Sequence, residues 1–201
     1  MLQRKPPSET STDGRRVRGA DNRRKIVDAL LKLVEAGSVL PSAEQVAAEA
    51  NVGLRTVFRH FADMESLRRE ISERMTAEIT PIVEQPFTAS EPHARLVELV
   101  DRRAKVFERL LPFKIAGDAS RHDSRFLTNE QTALVKAQRA ALRKALGPVA
   151  DDKPRFEALD LLLSLEAWRR LRRDQGLTPR EARAAMLAGA EALTSLRSAG
   201  R

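Results

Sequence analysis

Two arginines one helical turn apart, Arg55 and Arg59, sit in a short segment that also carries Thr56 and His60. A major groove admits one α-helix, and a guanidinium binds guanine O6 and N7 through two parallel hydrogen bonds, so this pair could read base edges. Thr56 and His60 would then bond phosphates and fix the register. On an isolated helix the same residues would be only a solvated face, and a helix this short does not hold itself together. The chemistry therefore depends on the elements that position the segment.

Those elements are legible on either side. Upstream, Ser42 can cap a helix, with Gln45 completing a capping box, and Val46, Ala47 and Ala50 supply a narrow apolar face. The chain breaks at Asn51-Val52-Gly53. A second helix from Leu54 to Phe61 then buries Val57 and Phe61 at four-residue spacing, leaving Arg55, Thr56, Arg59 and His60 on the other face. This is a helix-turn-helix pattern. A preceding helix is expected from Arg23 to Glu35, capped by Asp21 or Asn22, ended by Gly37, and buried through Ile26, Val27, Leu30, Leu33 and Val34. A fourth begins after the cap Asp63, carries Leu67, Ile71 and Met75, and is ended or kinked at Pro81.

With RRKIVDALLKLVEAG, SAEQVAAEANVGLRTVFRHF and ADMESLRREI in hand, the chain resembles the TetR-type one-component transcriptional regulators over about a quarter of its length. The resemblance implies a dimeric regulator, usually a repressor, that releases DNA when a small ligand binds. The sequence also departs from that pattern. Phe58 replaces the usual Tyr and its hydroxyl, Met64 replaces a usual Lys, and Gly53 replaces a frequent Ser or Thr at the head of the recognition helix. Up to three phosphate contacts are thereby lost, and each lost cationic contact should flatten the salt dependence by about one unit of slope. The candidate DNA-binding residues are Ser42, Leu54, Arg55, Thr56, Phe58, Arg59 and His60.

A net charge of +8 and a pI near 10.5 favour an anionic partner. Residues 1–25 carry eight Lys or Arg against three acids. Residues 1–22 are expected to be a basic disordered arm, either lying along a minor groove or serving only as a solubilising tail. The absence of Cys excludes disulfides and thiolate metal sites. No long apolar run or signal-peptide core is visible, so a soluble, cytoplasmic protein with no membrane partner is expected.

The aromatic content of 4%, the lack of Tyr and the abundance of helix formers predict an all-α chain. It divides into an N-terminal helix-turn-helix three-helix head, residues 23–80, and a helical ligand-binding and dimerisation body, residues 81–201, with a turn over residues 84–92. In the body, Leu96 to Leu111 mark a helix interrupted at Pro112 and followed by a looser stretch from Phe113 to Asp123. Leu127 to Leu142 trace the next, ending near Gly147-Pro148. Residues 156–172 read as one helix with apolar groups almost all round, which implies burial on more than one side. The last helix starts at Thr178-Pro179-Arg180-Glu181.

Ala182, Met186, Gly189, Leu193 and Leu196 then recur at alternating spacings of four and three, and Ala185 keeps the adjoining surface small. The last two helices of two subunits are expected to form a four-helix dimer interface with Leu161, Trp168, Ala182, Ala185, Met186, Gly189 and Leu193 as candidates. Packing of the last helix on its own core is the simpler alternative. Phe107, Phe113 and Phe126 are candidates to line an effector pocket, though each type is more often plain core.

An enzyme is not expected: there is no Gly-rich phosphate loop and no HExxH, and the three histidines are scattered at His60, His93 and His122. No catalytic residue, metal ligand or cofactor is assigned. The expected function is a ligand-responsive repressor binding a palindromic double-stranded DNA operator as a homodimer, with an unknown small-molecule effector. A helical protein-interaction adaptor and a non-specific architectural DNA binder stay open as alternatives.

Overall fold

Helix α1, Thr10–Glu35, begins thirteen residues before the expected start at Arg23. The computed structural model describes residues 10–195, so residues 1–9 of the expected disordered arm lie outside the described residues, whereas residues 10–22 are helical and correct that expectation. Part of the physical reason is local. Asp21, read as a possible cap, instead bridges Arg24 at 2.7 Å and Lys25 at 2.8 Å one turn on, which supports helix through the proposed start. The end of α1 is as expected: Gly37 adopts φ +96°, its N–H bonds Val34 O at 3.0 Å, and Ser38 N–H bonds Leu33 O at 2.9 Å.

Helix α2, Ala43–Glu49, starts with the capping box intact: Gln45 N–H donates to Ser42 Oγ at 3.3 Å and Ser42 N–H donates to Gln45 Oε1 at 2.8 Å. The turn after it is made by Asn51, a non-glycine residue at φ +53°, with the N–H of Val52 closing on Ala47 O at 3.0 Å. Helix α3, Leu54–His60, follows. Helix α4, Met64–Val83, is capped by Asp63, whose Oδ1 accepts from Ser66 N–H at 2.7 Å. It runs two residues past Pro81, because a proline so near the end forfeits little of the hydrogen-bond ladder.

Contacts divide the chain into two compact units between Arg74 and Met75, inside α4, rather than at residue 80. In the first, Ile26, Leu30, Val34, Val46, Val57, Phe61, Leu67 and Ile71 are buried. In the second, Ile79 and Ile82 of α4 pack on a core made by the remaining helices.

Helix α5, Pro92–Ser120, is continuous through Pro112, and the expected loose stretch is helix followed by one 3-10 turn, Arg121–Asp123. Val106, Phe107 and Leu111 before the proline and Ile115 after it join the same core, and burial on both sides outweighs one missing backbone bond. Helix α6, Arg125–Leu146, is capped by Ser124 and stops at Gly147, where φ is +55°.

The expected single helix over residues 156–172 is two. Helix α7, Lys153–Leu162, ends at Leu163, and Ser164 caps α8, Leu165–Arg169, accepting from Ala167 N–H at 3.1 Å. A π-helical turn, Arg170–Asp174, follows. The break re-phases the chain, so that Phe156, Leu159, Leu163, Leu165 and Trp168 all enter one core. The apolar groups that read as facing two sides are thereby explained without a second buried side; Leu161 alone of the large ones among them is left out, at 71% exposure. Helix α9, Pro179–Ser195, opens on the expected box, with Thr178 N–H donating to Glu181 Oε2 at 2.8 Å and Glu181 N–H to Thr178 Oγ1 at 3.3 Å.

Candidate nucleic-acid interface

Helix α3 has seven residues, and its surroundings decide which of them face outward. Val57 and Phe61 are buried as expected. Leu54, Arg55, Phe58 and Arg59 are exposed, whereas Thr56 and His60 are only half exposed. The open face is therefore rotated relative to the expected one: two apolar and two cationic side chains alternate on it, and Thr56 and His60, the pair expected to meet phosphates, move to its edge.

His60 shows the cause. The N-terminal extension of α1 passes beside it, and a Cβ built on Gly19 would lie 4.0 Å from His60 Cε1. His60 Nε2 is buried without a hydrogen-bond partner among the described residues. Burial, reinforced by the charges of Arg59 and Arg23, pushes the imidazole below its ordinary pKa. Burial thus keeps Nε2 of His60 from a phosphate and disfavours the charged imidazole.

Arg23, read from the sequence only as a basic residue at the expected start of the first helix, holds this end of α3 in place. Its Nη1 donates to His60 O at 2.9 Å, its Nε donates to Glu70 Oε1 at 3.2 Å, and its guanidinium lies 4.4 Å from the centre of the Phe61 ring. One side chain therefore ties α1, the carbonyl end of α3 and α4 together. The only signal in the sequence is a basic residue near a helix start, which is too common to mark such a clamp. Arg74 pairs with Asp28 between the same two long helices.

The two candidate base readers are differently placed. Arg55 and Arg59 have no ion pair or hydrogen bond among the described residues, and α3 contains no acid. By contrast the arginines of the groove lined by Arg23, Arg24, Glu70 and Arg74 are already matched, to Glu70, Asp21 and Asp28. Arg55 and Arg59 thus leave α3 with uncompensated positive charge. Ser42 is exposed, but its hydroxyl is committed to the capping box and donates to Glu44 Oε2 at 2.7 Å, setting a carboxylate beside it that a phosphate would meet. That hydrogen bond holds the Glu44 carboxyl below its usual range.

In the second unit the expected sites redistribute. Phe107 is fully buried and lies 6.3 Å, centre to centre, from Trp168, so it is core. Phe113 is half-buried beneath the Arg109 guanidinium at 5.8 Å, and Phe126 is half-buried on α6. Of the candidate dimer residues, Trp168, Ala182 and Met186 are inside the subunit's own core, where Trp168 Nε1 donates to Glu108 Oε1 at 2.8 Å. Gly189 serves the close approach of α9 to α7: a Cβ there would meet Leu162 Cδ2 at 2.8 Å. Ala182, Met186 and Gly189 of the stripe thus pack α9 within its own chain. Leu161 and Ala185 are exposed, and Leu193 is half-buried.

Among the described residues no helix is long and apolar enough to cross a membrane. No protein-family model and no curated protein matches the chain. A solved structure does: that of a proposed transcriptional regulator from Streptomyces coelicolor A3(2), at TM-score 0.59 and 22% identity, over 87% of this chain and 99% of that one. At that identity the likeness is one of fold, and the fold the two chains share is all-α.

Proposed function

We propose that this chain is a sequence-specific DNA-binding transcriptional regulator of the TetR type that binds a palindromic operator as a homodimer. The observation that carries the reading is the open face of α3. Arg55 and Arg59 stand exposed, uncompensated and one turn apart on a short helix whose other side is anchored by Val57 and Phe61 and whose end is clamped by Arg23. A helix held in this way presents two guanidinium forks at a spacing that a major groove can accept.

Repression and release by a small effector follow from the family resemblance. The helix α4 supplies Leu67 and Ile71 to the first unit and Ile79 and Ile82 to the second. Two-fold pairing is supported by a surface of small and apolar groups on α7 and α9, namely Leu161, Ala185, Ala188 and Ala192.

The test is selection of bound fragments from a random DNA pool by purified protein at about physiological salt, beside the double variant Arg55→Ala/Arg59→Ala. Enrichment of an inverted repeat by the parent and its loss in the variant is the expected result. Equal retention of unrelated fragments by both would favour the architectural alternative, and retention of none by either would favour the adaptor.

A further inference from the structure

Leu54 and Phe58 are the unexplained members of the α3 face. They stand 37% and 48% exposed, four residues apart on the same side of a helix, and Arg55 and Arg59 alternate with them. Isolated exposed apolar residues need no explanation. A leucine and a phenylalanine adjacent on a helix that carries two unpaired arginines and no acid do, because water gains nothing from them and the flanking charge selects a polyanion as their partner.

A DNA major groove is polar along its whole floor except at one kind of group, the C5 methyl of thymine. Resting on the reading of α3 as the DNA-contacting helix, we infer that Phe58, with Leu54 beside it, is a specificity-determining residue that packs on thymine methyl groups, so that each half-site holds thymine next to the guanines bound by Arg55 or Arg59. Phe58 has no hydroxyl to spend on a phosphate, and its ring offers a flat apolar surface where a phosphate-binding residue would offer a donor. The two readouts are complementary in kind. The guanidinium forks require guanine's two acceptors, and the Leu54–Phe58 strip rejects positions that put a polar edge, such as a purine N7, where the methyl would lie.

The test uses the full chain and its selected operator. Synthetic duplexes carry uracil in place of thymine at one position at a time, which deletes a single methyl and leaves every hydrogen-bonding group unchanged. The parent should bind at least one such duplex per half-site about fourfold more weakly, the effect of leaving one methyl unburied. Phe58→Ala should bind the thymine and uracil duplexes equally while still preferring guanine at the arginine-read positions. Equal parent affinity for thymine and uracil at every position would overturn the inference, as would discrimination retained in Phe58→Ala, and in both cases the DNA-binding reading itself would survive. A parent protein that selects no sequence at all would overturn both. Because the methyl is removed from the DNA, the parent comparison needs no variant, and the retained guanine preference reports that Phe58→Ala is folded.

Discussion

Arg23 Nη1 donates to the backbone carbonyl of His60 at 2.9 Å, across the gap between the first helix and the last residue of α3. A seven-residue helix cannot satisfy its own terminal carbonyls, and here a side chain from another helix does so while its ring contact covers Phe61. Arg23→Met removes the bond and the charge but keeps much of the stem. Because the side chain is 46% exposed and solvent-screened, the expected loss of stability is only about 1 kcal/mol. The loss of operator affinity should be larger in proportion, because α3 is left free to tilt. Thermal unfolding and binding titration on the same preparations would check this, and an unchanged affinity would show that α3 is held without the clamp.

Arg103 is the deepest charge in the body, 5% exposed, and it donates to Leu163 O and Gln138 O at 2.6 Å each. Burial lowers its pKa to about 10, with the charge of Asp160 acting in the opposite direction, so it remains protonated near neutrality. It bonds α6 and the α7–α8 break from α5. Arg103→Ala should cost about 2–4 kcal/mol, because two charge-assisted bonds go and carbonyls are left under water-poor packing. Arg103→Lys should recover part of this, since one ammonium cannot span both carbonyls as a planar fork does. Denaturant unfolding of the three proteins would rank them.

The neutral, half-buried imidazole of His60 carries a pH signature. Its folded pKa lies below the ordinary value of 6.5, so above that value both folded and unfolded chains hold it neutral and it contributes no pH dependence. Below 6.5 the unfolded chain takes up a proton that the folded chain refuses. Stability therefore falls as pH drops from 6.5 toward the lowered folded value, and the fall levels off below it. The difference in stability between the parent and His60→Gln, followed from pH 7.5 to 5, isolates this contribution from that of the carboxylates. A difference that stays constant over the range would contradict the burial of His60.

What was legible in the sequence was whatever a few neighbouring residues decide. Ser42 with Gln45, Asp63 with Ser66, and Thr178 with Glu181 fix helix starts through side-chain to backbone bonds within one turn, and Gly37 and Gly147 fix ends through positive φ. What was hidden depends on partners far along the chain. Pro112 looks like a stop until Phe107, Leu111 and Ile115 are seen to share one core, and residues 156–172 look like one helix until Ser164 re-phases them. The face of α3 is the sharpest case. With Val57 and Phe61 as the buried pair, Phe58 and His60 lie about equally far round the helix on either side. Periodicity cannot choose between them, and the passage of α1 beside His60 does.

The corrected stripe on α9 gives the last prediction its contrast. Met186 is 1% exposed in the subunit's core, whereas Leu161 on α7 is 71% exposed. Met186→Ala should lower subunit stability by about 2–5 kcal/mol through the cavity it leaves. Leu161→Glu should leave the subunit's core untouched and instead weaken self-association, because each two-fold contact buries the residue twice. Losing about 1.5–3 kcal/mol for a leucine side chain corresponds to at least a tenfold rise in the dissociation constant. Sedimentation over a range of concentrations, read beside denaturant unfolding, separates the two effects. If Leu161→Glu associates as the parent does, the α7 and α9 surface is not where two copies meet, and the palindromic operator would need a different pairing surface to match its symmetry.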